Sequence, residues 1–204
     1  MKSTKQILTD PLSDDNPITV QMLGICSALA VTSSMKPAVV MSIAVVAVMC
    51  FSSTVISLIR KIIPFKIRII VQMLVIASAV TMVEFVLKAL DYDAYRLLSV
   101  FVALIVTNCI VMGRTEGFAL ANPPVPAFLD ALGNALGYSI ILIIVASLRE
   151  ILGAGEWYGI SLFGENYPGN GLAALPVGAF IIIGLIIWVQ RSLPKNKELI
   201  EETN

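Results

Sequence analysis

Long apolar runs separated by short polar breaks define the chain. They fall at about 18–33, 38–59, 67–90, 97–113, 127–148 and 172–193. A membrane-spanning helix takes about 20 apolar residues, with about 17 at the low end. The second, third, fifth and sixth runs meet that length. The first, some 16 residues long, falls short, and the fourth only reaches the limit. The breaks carry turn chemistry: Asn16-Pro17, Ser33-Ser34-Met35-Lys36-Pro37, Arg60-Lys61 with Pro64, Asp91-Tyr92-Asp93, and Asn122-Pro123-Pro124. The passage from Arg114 to Pro126 is expected to be non-helical. The glycine-rich loop 153–171 carries Trp157, Tyr158 and Tyr167, aromatic residues suited to a membrane interface. Residues 1–17 read as a polar cytoplasmic lead-in, 18–193 as a six-helix transmembrane domain, and 194–204 as a cytoplasmic tail.

Composition supports an all-α integral membrane protein. Of 204 residues, 57% are hydrophobic and 14% charged, with a mean hydropathy of +0.88. Soluble domains run near 45–50% apolar and about 25% charged. The runs are continuous rather than alternating, which argues against a β-barrel. The formal net charge is zero, so no surface for nucleic acid is implied. The chain has no His, which excludes His-ligated metal and His acid–base catalysis. No GxGxxG or phosphate-loop pattern is present, so no nucleotide chemistry is expected here. The first residues lack the apolar core of a cleaved signal peptide.

Six crossings put both ends on one side. Assigned to loops, ten of the fourteen Lys and Arg residues share the side of the termini: Lys2, Lys5, Arg60, Lys61, Lys66, Arg68, Arg114, Arg191, Lys195 and Lys197. The positive-inside bias therefore places both termini in the cytoplasm. Divided near residue 94, the chain gives two halves of three segments, about 18–93 and 94–193. An odd number of crossings inverts the second half relative to the first. Each half opens with its short segment, and each short segment holds one cysteine, Cys26 and Cys109. Short or broken hydrophobic segments at matching places of inverted repeats point to a site at the bilayer midplane. Segments 1 and 4 are expected to enter from opposite faces and bring the two thiols together.

The neighbours of these thiols are small or polar: Gly24 and Ser27 beside Cys26, Thr107 and Asn108 beside Cys109. Non-helical backbone at membrane depth survives only inside protein or along a cavity. Backbone N–H groups and Asn or Ser donors are what sulfur ligands use to tune a metal centre. Three readings stay open on the residues alone: metal ligation, two packed thiols, or a regulatory disulfide. A 2Fe–2S cluster takes four thiolates, so any such centre here needs a second pair from a neighbouring subunit. Cys50, between Met49 and Phe51, reads as a packed hydrophobe. Glu84 and Asp130 are intramembrane carboxylates, expected to snorkel to the headgroups. Arg149-Glu150 reads as an interfacial ion pair, and Gly133 and Gly137 as points of close helix contact.

Three strings carry a resemblance: Gln21-Met22-Leu23-Gly24-Ile25-Cys26-Ser27-Ala28-Leu29-Ala30-Val31-Thr32, Arg68-Ile69-Ile70-Val71-Gln72-Met73, and Thr107-Asn108-Cys109-Ile110-Val111-Met112-Gly113-Arg114. With Asn134, Gly137 and Arg149-Glu150, they closely resemble the NqrDE/RnfAE family of membrane subunits over nearly the whole chain. Ser27 after Cys26, and Gln72-Met73, are closer to the NqrD branch than to the RnfE/RsxE branch. The resemblance implies membership of a six-subunit Na⁺-translocating NADH:quinone oxidoreductase of the bacterial inner membrane. It implies a pairing with NqrE, which is inverted relative to it. It also implies an iron centre, 2Fe–2S or a single Fe, held between the two subunits. By the same resemblance, Cys26 and Cys109 are expected to be the ligands on this side, with Gly24 and Asn108 behind them. The resemblance further implies that A, B, C and F are partners, that NADH oxidation and the FAD, FMN and riboflavin steps to ubiquinone lie on other subunits, and that this chain has no NADH site or catalytic residue of its own. Two other classes remain beside an electron relay: a secondary transporter whose thiols only pack, and a scaffold without cofactor.

Overall fold

The computed structural model describes residues 4–9, 11, 16–90, 103–153, 155–157, 160–161, 171 and 175–192. In chain order its elements are α1 (Thr4–Thr9), α2 (Ile25–Val31) and α3 (Met35–Ile59). A 3₁₀ turn at Phe65–Ile67 leads into α4 (Arg68–Leu90). Then come α5 (Cys109–Arg114), running on as a π-type turn over Thr115–Ala119, and α6 (Pro124–Gly153). Strands β1 (Glu156–Trp157) and β2 (Ile160–Ser161) precede α7 (Pro176–Ser192). The strands form a two-residue antiparallel ladder, Glu156 opposite Ser161 and Trp157 opposite Ile160. Three stretches are long and apolar enough to cross a bilayer: Met35–Ile59, Phe65–Ala89 and Pro124–Gly153, with Pro176–Gln190 a shorter apolar helix.

The central pair is α3 and α6. Their buried residues recur at helical spacing: Ala38, Met41, Val45, Val48, Met49 and Ser52 on α3, against Ala131, Ala135, Tyr138, Leu142, Val145 and Ala146 on α6. Lipid tails are as apolar as Leu, so such faces join by close packing rather than by the hydrophobic effect. Small side chains on both stripes permit it. Some hydroxyls in these helices return to their own backbone, as Ser42 does to Ala38 O at 2.8 Å and Ser139 to Ala135 O at 2.8 Å. No polar donor is then left to hydrocarbon at those positions. Helix α4 packs on α3 from outside: only 22% of its most apolar window is buried inside the chain, against 50% for α3 and 56% for α6.

Segments 1 and 4 depart from regular helix as expected, and further than expected. Only Ile25–Val31 of segment 1 is helical. Before it, Asn16 turns the chain: its Oδ1 accepts from Ile18 N at 3.1 Å, and its backbone O accepts from Val20 N at 3.0 Å. Met22 and Gly24 then take left-handed φ values of 55° and 80°, a region sparsely used by residues other than Gly. In segment 4 a helical turn at 103–106 stops at Thr107-Asn108, and helix resumes at Cys109.

The passage 114–126 corrects the expectation of a non-helical stretch. The chain coils through Ala119, turns over 120–123, and is α-helical again from Pro124. Proline at the start of a helix sacrifices only an N–H that has no intrahelical partner. Residues 97–102, Asp91-Tyr92-Asp93, Tyr158, Tyr167, the repeat boundary near 94 and the tail 194–204 lie outside the described residues.

The described part of the lead-in docks on α6. Gly133 and Gly137 form its seat: a Cβ on Gly133 would lie 3.0 Å from Leu8 O, and one on Gly137 would lie 2.4 Å from Pro11 O. Asn16 Nδ2 donates to Gly137 O at 3.2 Å. The two glycines thus receive the chain's own N-terminal backbone. Gly137→Ala is expected to dislodge this segment around Pro11 and Asn16, costing about 1–3 kcal/mol by overpacking. Limited proteolysis of the N-terminal segment should quicken several-fold; a wild-type rate contradicts this packing.

Candidate functional site

Helix α6 serves as a ruler. At one end Asp130 receives Arg114, the last residue of α5. Arg114 Nε donates to Oδ2 at 2.9 Å, and a second bond joins Nη2 to Oδ1. Nineteen residues on, about 28 Å at 1.5 Å per residue, Arg149 closes the far end of α2. Its Nη1 donates to Thr32 Oγ1 at 2.7 Å and Leu29 O at 3.3 Å, and Nη2 to Leu175 O at 3.2 Å. The C-terminal ends of α5 and α2 are therefore tied to opposite ends of α6, and their N-terminal ends meet between. Tyr138 marks the meeting point, about 12 Å from Asp130 and about 16 Å from Arg149 along the helix. The Asp130–Arg149 span is comparable to the thickness of a hydrocarbon core, about 30 Å.

Cys26 is the second residue of α2 and Cys109 the first of α5. Gly24, two residues before Cys26, reaches Cys109, so the starts of the two helices adjoin. Gly24 N–H donates to Cys109 Sγ at 2.8 Å. Two separate constraints require glycine at position 24. Its φ is 80°, and a Cβ would stand 2.8 Å from Tyr138 Cε2 and 3.6 Å from Asn108 Oδ1. Asn108 caps α5, its Oδ1 accepting from Ile110 N at 3.3 Å. Its Nδ2 is buried with no hydrogen-bond partner among the described residues. Leu23 lies against Gly113, where a Cβ would be 3.2 Å from Leu23 Cδ1, so the loop before α2 packs directly on α5. Cys26 is exposed on the surface of this chain and Cys109 is half-buried. Among the described residues no group of three or more Cys, Asp or Glu side chains converges. The ligand-type atoms that these residues bring to the gap are two sulfurs.

Cys50 lies in the core on α3. Asp130 does not snorkel. It is 4% exposed, paired with Arg114, and in contact with Asn134, whose Nδ2 donates to Asp130 O at 2.9 Å. Arg149 and Glu150 serve two helix ends instead of each other. Neighbours on a helix point about 100° apart, so Arg149 reaches the carbonyl end of α2 while Glu150 Oε2 accepts from Met35 N at 3.0 Å at the start of α3. Cations suit helix C-termini and anions suit N-termini. Glu84 is half-buried on α4, one helical turn before Lys88. A second polar tie joins Arg68 to Glu116 at 2.5 Å and Gln72 Nε2 to Glu116 at 2.6 Å, fastening α4 to the π-type turn.

A sequence model of the Rnf-Nqr family, described as Rnf-Nqr subunit, membrane protein, matches residues 4–187. This chain belongs to the Rnf-Nqr family. Its curated relatives include a protein of Aeromonas hydrophila, 56% identical over 200 residues, covering 95% of each chain. Another, from Pseudomonas paraeruginosa, is 53% identical over 198 residues, covering 95% of this chain and 89% of the relative. A third, from Serratia proteamaculans, is 52% identical over 197 residues, covering 94% of each. All three are named as the D subunit of a Na⁺-translocating NADH-quinone reductase.

Sequence reasoning passed over Tyr138 beside Gly24, and it missed the tie from Arg149 to the far end of α2. A lone Tyr in an apolar run gives no signal of its partner on another helix; Ser27, expected as a donor near sulfur, bonds to Tyr138 and Gly24 O. The Arg114–Asp130 pair is well enclosed, with side chains 20% and 6% exposed. Removing one partner of a buried pair costs about 3–5 kcal/mol. Asp130→Ala is therefore expected to destabilise the assembled protein strongly, and Arg114→Met with Asp130→Leu to recover much of the loss. Thermal unfolding in detergent measures both; a single variant as stable as wild type contradicts the clamp.

Proposed function

We propose that this chain is the D-type membrane subunit of a Na⁺-translocating NADH-quinone reductase of the bacterial inner membrane. We further propose that Cys26 and Cys109 supply half of the ligand set for an iron centre, 2Fe–2S or a single iron, shared with an NqrE-type partner. The observation that carries the reading is that the starts of two cysteine-bearing short helices, their cysteines 83 positions apart in the sequence, adjoin halfway along α6, with Gly24 N–H on Cys109 Sγ. Their surroundings fit such a group. The donors are soft thiols, a backbone N–H already points at one sulfur, and the amide N–H₂ of Asn108, the residue before Cys109, is buried without a hydrogen-bond partner among the described residues. Cys26 faces out of the chain, where a neighbour's pair completes the set.

Bound there, an iron–sulfur group supplies one-electron transfer at mid-membrane depth. The chain's own residues hold the site. Gly24 lets backbone approach sulfur, Asn108 fixes the start of α5, and Arg149 and Arg114 anchor the far ends of the two short helices. The surrounding apolar helices exclude water. NADH oxidation and the flavin steps belong to the other subunits of the A–F complex.

The same reading makes α2 and α5 equivalent parts of two inverted three-helix repeats, six spans in all with both termini cytoplasmic. Each carries its cysteine in its first two positions, ends in a turn, and feeds a long spanning helix, α3 or α6. The names of the relatives favour the NqrD branch over an RnfE-type assignment. Changes in the packing of α2 and α5 with electron arrival are the proposed link to Na⁺ export.

In purified complexes, Cys26→Ala and Cys109→Ala are expected to lower iron content and abolish an electron paramagnetic resonance signal that Cys50→Ala leaves intact. Electron flow to quinone should fall by at least about a hundredfold, or about 2.7 kcal/mol at 1.36 kcal/mol per tenfold. Full iron and full activity in Cys26→Ala point to a transporter or scaffold whose thiols only pack. Normal Na⁺ uptake with Cys109→Ala removes the coupling through this pair.

A further inference from the structure

Tyr138 is fully buried at the midpoint of α6, and its ring edge lies directly beneath Gly24. Its hydroxyl stands 2.8 Å from Ser27 Oγ. Ser27 has one hydroxyl proton, and it goes to Gly24 O at 2.9 Å. The proton between the two hydroxyls therefore belongs to Tyr138. The result is a relay, Tyr138 O–H to Ser27 Oγ–H to Gly24 C=O. At the other side of the same residue, Gly24 N–H donates to Cys109 Sγ. A glycine at positive φ is conformationally soft. Here the ring packs against it from below, and the relay adds a second donor to a carbonyl that also accepts Ala28 N–H at 3.1 Å.

We propose that Tyr138 is a positioning residue for the sulfur site, acting through Ser27 and the Gly24 turn to set the N–H···S hydrogen bond at Cys109 and thereby the electron affinity of the centre held there. The inference rests on the iron-centre reading above. Hydrogen bonds to sulfur are among the determinants of an iron–sulfur potential, and residues behind the ligands orient them and tune the metal. An N–H aimed at sulfur stabilises the more negative, reduced form. Loosening it lowers the potential.

Tyr138→Phe keeps the ring under Gly24 and deletes the hydroxyl; Ser27→Ala deletes the middle of the relay. In the purified whole complex, three quantities separate the possibilities. These are iron per complex, the midpoint potential from a redox titration read by electron paramagnetic resonance, and the alkylation rate of Cys109 in iron-depleted complex, read by mass spectrometry of its peptide. With iron content at the wild-type level, both single variants are expected to shift the potential downward. The double variant should shift it no further than the larger single, because the two act in one chain. In iron-depleted complex, Cys109 should alkylate several-fold faster in either variant. Wild-type potentials in both variants at full iron overturn the inference while leaving the iron centre in place. Absence of iron from the wild-type complex overturns the reading beneath it. In that case an unchanged Cys109 alkylation rate overturns the positioning role as well, and a faster one retains it for the thiol alone. If Tyr138→Phe fails to assemble, Ser27→Ala carries the same measurements.

Discussion

A helix that stops inside a bilayer leaves its first N–H groups without partners and without water to supply them. Two helices stop here, at Gly24 and at Asn108, and each start is served by an atom the other helix or its own cap provides. Cys109 Sγ takes the N–H of Gly24; Asn108 Oδ1 takes that of Ile110. The sulfur is thus a structural acceptor for the start of α2 and, on the proposed function, a ligand as well. This shared use makes the two short segments interdependent: the turn at Gly24 loses its acceptor if α5 moves away.

The long helix α6 makes the meeting possible. Asp130, Tyr138 and Arg149 lie on one spanning helix at spacings that match one edge, the middle and the other edge of the hydrocarbon core. Each holds a different part of the broken segments. Asp130 and Arg149 would be costly within lipid; here one is ion-paired and the other hydrogen-bonded to carbonyls and Thr32. Gly133 and Gly137, between Asp130 and Tyr138, open a further face for the N-terminal segment. One helix therefore positions the lead-in, both short helices and the Gly24 turn.

Much of this was legible before any coordinates. The deficit in length of segment 1, the Thr107-Asn108 interruption in segment 4, and the single cysteine in each pointed to paired broken helices. What escaped the sequence has a common cause. Helices apolar on nearly all sides carry no strong periodic signal, so which face of α6 looks inward was hidden, and with it the roles of Tyr138, Asp130 and Arg149. Arg149-Glu150 looked like a pair because the residues are adjacent; helical geometry sends them to two different helix ends. Pro124 looked like a breaker because it follows Pro123, yet at the first position of a helix it terminates nothing. The polar lead-in looked solvated because its anchor, the bare backbone of α6 at two glycines, has no chemical signature beyond the absence of side chains.

The proposed centre requires two sulfurs from opposed half-helices to form one half of a ligand set that a neighbouring subunit completes. A side-chain-resolution map of the intact complex in lipid tests this most directly. Metal density is expected to bridge Cys26 Sγ and Cys109 Sγ of this chain to two sulfurs of a second chain, at the level of Tyr138. Sulfurs of Cys26 and Cys109 that lie apart, or that face lipid with no second protein against them, contradict it.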